Sequence, residues 1–172
     1  VTLAAPASAD LRLELQRVVT NIVVTATGTP QPVDEIAKAL DVVSAAQLDL
    51  RGEFSLPEAL KQIPGLRVAQ FGGPGALTSV AVRGLRTFDT ALLVDGFRLR
   101  DAAAPQGEAT GFLSDILFAG ADRIEILRGS GSSLYGTHAT GGVLNLISDA
   151  GGGPLRGSLT AEGRGLGLLR SQ

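Results

Sequence analysis

Along much of the chain, apolar and polar positions alternate with a period of two, the mark of strands with one buried face. Residues 123–127 set Ile124 and Ile126 against Arg123 and Glu125, and Val143 to Ile147 forms a second β-type run. Between the two runs glycines stand at 129, 131, 136, 141 and 142, so some other group must approach that backbone closely. Leu11, Leu13 and Leu15 alternate with Arg12, Glu14 and Gln16, predicting a strand over 11–19 behind an Ala/Pro/Ser-rich stretch, as at the end of an upstream domain. Ile22-Val23-Val24-Thr25-Ala26 is a short β-prone run closed by Thr-Gly-Thr-Pro-Gln-Pro, whose prolines bar a helix or a central strand. On pattern alone it is an ordinary edge strand.

Helical signals are few and local. Ala37 to Val43 is apolar, and Ser44-Ala45-Ala46-Gln47 has capping-box spacing, predicting a short helix to about Leu50. Ser55-Leu56-Pro57-Glu58 repeats the signal, with Leu56, Leu60 and Ile63 on one face until Pro64-Gly65. A strand through Leu66, Val68 and as far as Phe71 then meets the irregular loop Gly72-Gly73-Pro74-Gly75, and Ser79 to Gly84 alternates again. Ala91-Leu92-Leu93-Val94 is apolar on both sides, a centrally buried strand, and Asp95-Gly96 turns it into a hairpin with Phe97-Arg98-Leu99. Residues 101–112 have no period and read as a long exposed loop, followed by a helical turn over 113–119. Gly151-Gly152-Gly153-Pro154 is a hinge, and Leu155 to Arg164 alternates in a way that suits either a barrel strand or a soluble edge strand.

Composition narrows the function more by exclusion than by assertion. The chain starts at Val1 and holds no methionine, and it is read as a fragment of a longer polypeptide. A formal charge of -2 provides neither a nucleic-acid groove nor attraction to an anionic membrane surface. With no cysteine, disulfides, thiolate metal sites and cysteine nucleophiles are excluded. No apolar run approaches the roughly 20 residues of a membrane-spanning helix. Gly131 to Gly136 supplies the glycines of a phosphate loop, but Thr137-His138 follow where Lys and Ser/Thr are needed, and Leu134 occupies the third glycine position of a dinucleotide fingerprint. His138 is the single imidazole, no G-x-S-x-G elbow occurs, and the carboxylates are too scattered for a metal site. Arg83 and Arg128 both close an apolar strand and precede a glycine. They are either arginines that expect a carboxylate partner or ordinary strand ends in water.

Taken together in order, Pro64-Gly65-Leu66, Val82-Arg83-Gly84, Leu93-Val94-Asp95-Gly96-Phe97-Arg98, Arg123 to Gly129, Leu134-Tyr135-Gly136 and Gly141 to Ile147 resemble the plug domain of TonB-dependent outer-membrane receptors. Ile22, Val23, Val24, Thr25 and Ala26 resemble the TonB box. Asn21 stands where an acidic residue often precedes that box, and Gly-Ser-Gly-Ser-Ser replaces the usual proline-containing turn at 129–133. The Gly-Gly-Pro-Gly loop and the hairpin at 93–98 are most similar to the vitamin B12 receptor type. Residues 11–19 resemble the end of a carboxypeptidase-regulatory-like domain.

The resemblance implies an α+β plug with a small mixed four-stranded sheet and short helices, lodged in a roughly 22-stranded β-barrel. It implies residues 1–20 as an upstream tail or linker, 21–32 as TonB box and linker, 33–150 as the plug, and 151–172 as hinge and start of the first barrel strand. The expected activity is not enzymatic and needs no cofactor or metal. It is the gating of TonB-driven import of a scarce nutrient, cobalamin or a ferric siderophore, across the outer membrane of a Gram-negative bacterium. Partners implied are TonB with its inner-membrane energising complex, the receptor's own barrel, and the ligand. The box, free between linkers, is expected to add as a strand to TonB. Ligand contact is expected from Gln70, Phe71, Gly72, Gly73, Pro74, Gly75 and Ala76, and from Asp101, Gln106, Glu108 and Phe112. By the same analogy Arg83 and Arg128 pair with barrel glutamates, and the barrel's inner wall is the close neighbour that the glycines at 129–142 admit. Competing readings are a soluble periplasmic binding or signalling module and a nucleotide-dependent enzyme.

Overall fold

The computed structural model describes residues 22–52, 55–73, 76–114, 116, 120–151, 161–164 and 168–171. The expected strand at 11–19 and residues 155–160 of the expected strand at 155–164 fall outside them. The described elements are, in order, β1 (Ile22–Val23), β2 (Gln31–Pro32), β3 (Leu40–Ser44), α1 (Ala45–Arg51), α2 (Leu56–Lys61), β4 (Leu66–Gln70) and β5 (Thr78–Val82). There follow β6 (Thr90–Val94), β7 (Phe97–Arg98), β8 (Ala121–Arg128), α3 (Ser132–Tyr135), β9 (Gly142–Ser148), β10 (Ala161–Arg164) and β11 (Leu168–Ser171).

The central sheet is mixed and has the order β3-β8-β9-β6-β7, with β6 and β9 parallel and every other neighbour antiparallel. It has five strands where four were expected, because the two-residue β7 is added at one edge by the hairpin turn. Asp95 and Gly96 take φ of 50° and 82°, the left-handed pair that a two-residue hairpin needs, which is why Asp-Gly closes β6 onto β7. β4 and β5 form a separate antiparallel hairpin, and β10 with β11 forms another.

The two faces of the sheet are built differently. One is covered by α1, α2, the β4–β5 hairpin and a 3-10 turn at Thr110–Ser114, which close over Val43, Leu92, Ile124, Ile126, Leu144 and Leu146. Leu48, Leu56, Leu60 and Leu113 come down from that layer and are all but inaccessible to water. Each such side chain contributes roughly 1.5–3 kcal/mol by burial. The helix-start signals hold unequally here. Ser44 and Gln47 make the reciprocal box, with the Ser44 amide donating to Gln47 Oε1 at 3.0 Å and the Gln47 amide to Ser44 Oγ at 3.3 Å. Ser55 precedes α2 without a side-chain cap bond, so Pro57 and the burial of Leu56 and Leu60 fix that helix instead.

The opposite face carries Leu127, Val143, Ala91 and Leu93, and the chain segment 22–28 lies over it with Ala26 in its cluster. Two expectations fail on this face. Glu125, placed by its alternation on an open side, is fully buried, because β8 is covered on both faces. Gly131 and Gly142 meet the chain's own strands rather than another wall. A Cβ on Gly142 would lie 2.6 Å from the Leu127 carbonyl oxygen and one on Gly131 2.7 Å from Val143 Cγ2. Among other departures, β4 stops at Gln70, before Phe71. The helical turn begins at Thr110 rather than 113, and Ala109 and Thr110 are buried, so the 101–112 loop is exposed only in part.

Candidate functional site

Only Ile22 and Val23 of the β-prone segment are strand, paired with Pro32 and Gln31. After Val23 the chain curls, and the Gly28 amide donates back to the Val24 carbonyl at 2.8 Å. The segment is therefore not free. Val23, Thr25 and Ala26 are buried. Three donors converge on Glu125 Oε2: the amides of Val24 at 3.0 Å and Thr25 at 2.9 Å, and the Thr25 hydroxyl at 2.6 Å. The other carboxylate oxygen takes the Arg123 guanidinium, with Nη2 at 2.8 Å. Asn145 Nδ2 donates to Thr25 Oγ1 at 2.9 Å, and Asn145 Oδ1 accepts the Gly96 amide at 3.1 Å. Lys38 Nζ reaches the Ala26 carbonyl at 3.2 Å.

The charges fit this enclosure. Burial works against the Arg123 cation, but the hydrogen bonds and charges of Asp122 and Glu125 outweigh it and hold its pKa above the ordinary value. Tyr135 is pushed up, first by burial and then by the Glu125 charge. A buried carboxylate of this kind costs free energy unless paired and hydrogen-bonded. Glu125 meets both conditions, and two of its donors come from the backbone of the covering segment itself.

At one end of the sheet Arg83 and Arg128 come together beside Lys38. They line a concave pocket of about 290 Å³ with Ala37, Ala39, Gly129 and Ser130. Arg83 holds the left-handed φ of 52° and its amide donates to Gly65. Among the described residues no carboxylate pairs with it. Arg128 does have a partner in the chain: its Nε lies 2.5 Å from Asp41 Oδ2, and Nη1 donates to the Pro64 carbonyl at 3.1 Å.

The two loops expected to face a ligand are brought together. Ser114 Oγ donates to the Ala76 carbonyl and lies beside the Thr78 hydroxyl, and Leu77 packs so closely on Gly111 that a Cβ there would sit 2.9 Å from its Cδ1. Phe71, Leu77 and Phe112 are exposed around this junction. Gln70 Nε2 holds the Gly73 carbonyl. Asp101 accepts the Ala103 amide and Glu108 the Gln106 amide, so both acids are spent on shaping their loop. Pro74 and Gly75 lie outside the described residues. No Lys or Arg occurs in 70–77 or 101–112.

Residues 32–143 match the TonB-dependent Receptor Plug Domain family. The chain belongs to that family. It is 36% identical over 138 residues to the vitamin B12 transporter BtuB of Vibrio vulnificus, covering 79% of this chain and 22% of the relative. It is 34% identical over 142 residues to the vitamin B12 transporter BtuB of Photobacterium profundum, covering 83% and 23%. Its fold is that of the ferripyoverdine receptor of the Pseudomonas aeruginosa outer membrane, with a TM-score of 0.60 at 23% identity over 75% of this chain and 16% of that one. The chain therefore spans about a fifth of the length of the curated relatives it matches.

The family match sets the plug core beyond question, and it begins after the segment 22–26. Several residues that organise the site were not singled out from sequence: Glu125 as the anchor of that segment, Asn145 behind it, Lys38, Asp41 and Ser114. The available signal for Glu125 was its place in the middle of a strand whose neighbours on both sides are apolar, where a solvated carboxylate is unusual. Nothing local distinguished Asn145 or Asp41. Their roles arise from pairings about a hundred residues apart.

Proposed function

We propose that this chain is the plug of an outer-membrane active transporter, with segment 22–26 serving as the TonB-binding box and the 70–76 and 101–112 loops contacting the ligand. The observation that carries the reading is the way 22–28 is held. It covers one face of the sheet through hydrogen bonds to one carboxylate and the burial of Val23, Thr25 and Ala26, in a cluster separate from the larger core on the other face, and so can be withdrawn without opening that core. A β-prone segment that can be withdrawn can offer its backbone to a sheet edge on a periplasmic partner. Pulling on it would act directly on β8 and β9 through Glu125 and Asn145. The pocket with Arg83, Lys38 and Arg128 is suited to carboxylates from the surrounding barrel, with Arg83 as the guanidinium still open to a partner.

For the ligand, the identity to vitamin B12 transporters and the chemistry of the loops favour the same class. The exposed groups at the loop junction are Phe71, Leu77 and Phe112, and the formal charges in the two loops are acidic only. Such a surface suits a large neutral ligand with apolar flanks, as cobalamin is, better than an anionic ferric chelate. The transporter would be placed in the outer membrane with the box toward the periplasm.

Val24→Pro in the full-length receptor tests the box. Proline deletes an amide and fixes φ, so binding of the C-terminal domain of TonB should be lost; undiminished affinity would exclude strand addition through this segment. Cobalamin should bind the unaltered receptor in preference to ferric chelates. Preference for a ferric siderophore would overturn the ligand class while leaving the box reading intact.

A further inference from the structure

A 3-10 helix has three residues per turn, so side chains three apart stand above one another and the turn presents three separate faces. In the turn Thr110–Ser114 those faces have different neighbours. Thr110 and Leu113 point into the core and are buried, and Phe112 stands outward, 40% exposed. Gly111 and Ser114 share the third face, which meets residues 76–78 at the start of β5. Ser114 Oγ donates to the Ala76 carbonyl and lies 2.5 Å from the hydroxyl of buried Thr78, which donates to the same carbonyl at 3.2 Å. Gly111 leaves the space into which Leu77 reaches, since a Cβ there would lie 2.9 Å from Leu77 Cδ1. The 71–77 loop is also closed on itself, the Phe71 amide donating to the Leu77 carbonyl and the Ala76 amide to the Gly73 carbonyl, both at 3.0 Å.

We infer that Leu77 is a ligand-contacting residue that sets specificity, and that Gly111 and Ser114 are its positioning residues, Gly111 by admitting the leucine side chain and Ser114 by fixing the backbone beside it. The inference rests on the ligand reading of the two loops given above and adds the residues that shape their joint surface. Leu77 lies one residue beyond the 70–76 loop and is 64% exposed, although the residues on either side of it are tied to the turn. An apolar side chain held in water on a fixed backbone gains by burial against a ligand and loses little freedom in doing so. Phe71, Leu77 and Phe112 thus form one apolar surface carried by two loops, with its spacing set before a ligand arrives. The glycine serves shape rather than backbone. Its φ lies outside the left-handed region, and the atom in the way of a Cβ is the end of a flexible side chain, so alanine would turn Leu77 aside with little loss of stability.

The test titrates the full-length receptor with cyanocobalamin and melts each variant beside the titration. Leu77→Ala removes the contact and should weaken binding about tenfold. Gly111→Ala should weaken it about fivefold with the melting midpoint unchanged, and should have no further effect in the Leu77→Ala background, because the side chain it displaces is gone. Ser114→Ala should weaken binding about threefold by loosening the joint surface. In the ligand-free receptor, spin labels at Gly73→Cys and Gln106→Cys, both exposed positions, should give one narrow distance that broadens with Ser114→Ala. Full binding by Gly111→Ala, or the same loss from Gly111→Ala with and without Leu77, would overturn the inference. Failure of cyanocobalamin to bind even the unaltered receptor would withdraw the ligand reading and with it the role of Leu77. In that event a distance broadened by Ser114→Ala would still support Ser114 as the clamp between the loops, and an unchanged one would overturn that as well.

Discussion

The two faces of the central sheet are covered with comparable completeness by different chemistry. Under α1 and α2 the cover is leucine and isoleucine, contributed by many residues and stabilised by area removed from water. Under segment 22–28 the apolar cluster is smaller, and the decisive contacts are directional bonds to Glu125, Thr25 and Asn145. Apolar burial is lost gradually and only by opening a large surface. A hydrogen-bonded cover has a few discrete contacts and can leave as a unit, so one face is built to stay and the other to be released.

The largest effects should follow from damage to the permanent face. Leu60 is completely buried among Leu56, Ile126 and Leu144, and Leu60→Ala should cost about 3 kcal/mol of plug stability. It would be read as faster protease digestion of the plug within the receptor, with segment 22–26 affected only through global unfolding. Gly142→Ala should come next. Its Cβ meets the Leu127 carbonyl at 2.6 Å and Val82 Cγ2 at 3.0 Å, and since backbone cannot rotate away, about 2 kcal/mol of strain is expected. A thermal melt of the receptor should show Gly142→Ala clearly less stable than Gly131→Ala, whose nearest clash is a valine methyl.

Smaller changes should sharpen the difference at the edges. Arg128→Ala removes the ion pair with Asp41 and the bond to Pro64. The pair is partly exposed, so about 1 kcal/mol is expected, seen as faster hydrogen exchange confined to 123–148. The acid response of the β6–β7 turn should be smaller again. Asp95 is held below its ordinary pKa of 3.8, first by the Ser148 backbone amide and then by its hydroxyl. Its contribution is complete above that ordinary value and is lost as pH falls through the lower folded one, because protonation removes the acceptor. Below about pH 4 the protection factors of the turn amides, each taken against the intrinsic exchange rate at the same pH, should be lower in the unaltered receptor than at neutral pH, and Asp95→Asn should abolish that dependence.

Much of the fold was legible because its signals are local. Asp95-Gly96 specified a hairpin, Ser44 to Gln47 specified a helix start, and the apolar run at 91–94 specified a strand buried on both sides. The central error had one cause. Alternation at Arg123, Ile124, Glu125 and Ile126 shows that a strand has two unlike faces, and it does not show whether the polar face meets water or a buried partner. The partner here is a segment a hundred residues upstream, so no window of sequence around Glu125 contains it. The same distance hid Asp41 from Arg128. It also led the glycines at 131 and 142 to be assigned to an external neighbour when the neighbours are Val143 and Leu127 of the chain itself. In the candidate site, the ordered motifs singled out segment 22–26 and the two loops, and their arrangement, docked in one case and joined in the other, required the tertiary structure.

Hydrogen exchange on the full-length, ligand-free receptor tests the difference between the faces most directly. Amides of Val24 and Thr25 should be protected in the unaltered protein, and Glu125→Gln should collapse their protection while leaving residues 56–63 of the opposite cover unchanged. Equal loss over both segments, or no loss at 24 and 25, would contradict a plug with one permanent and one releasable face.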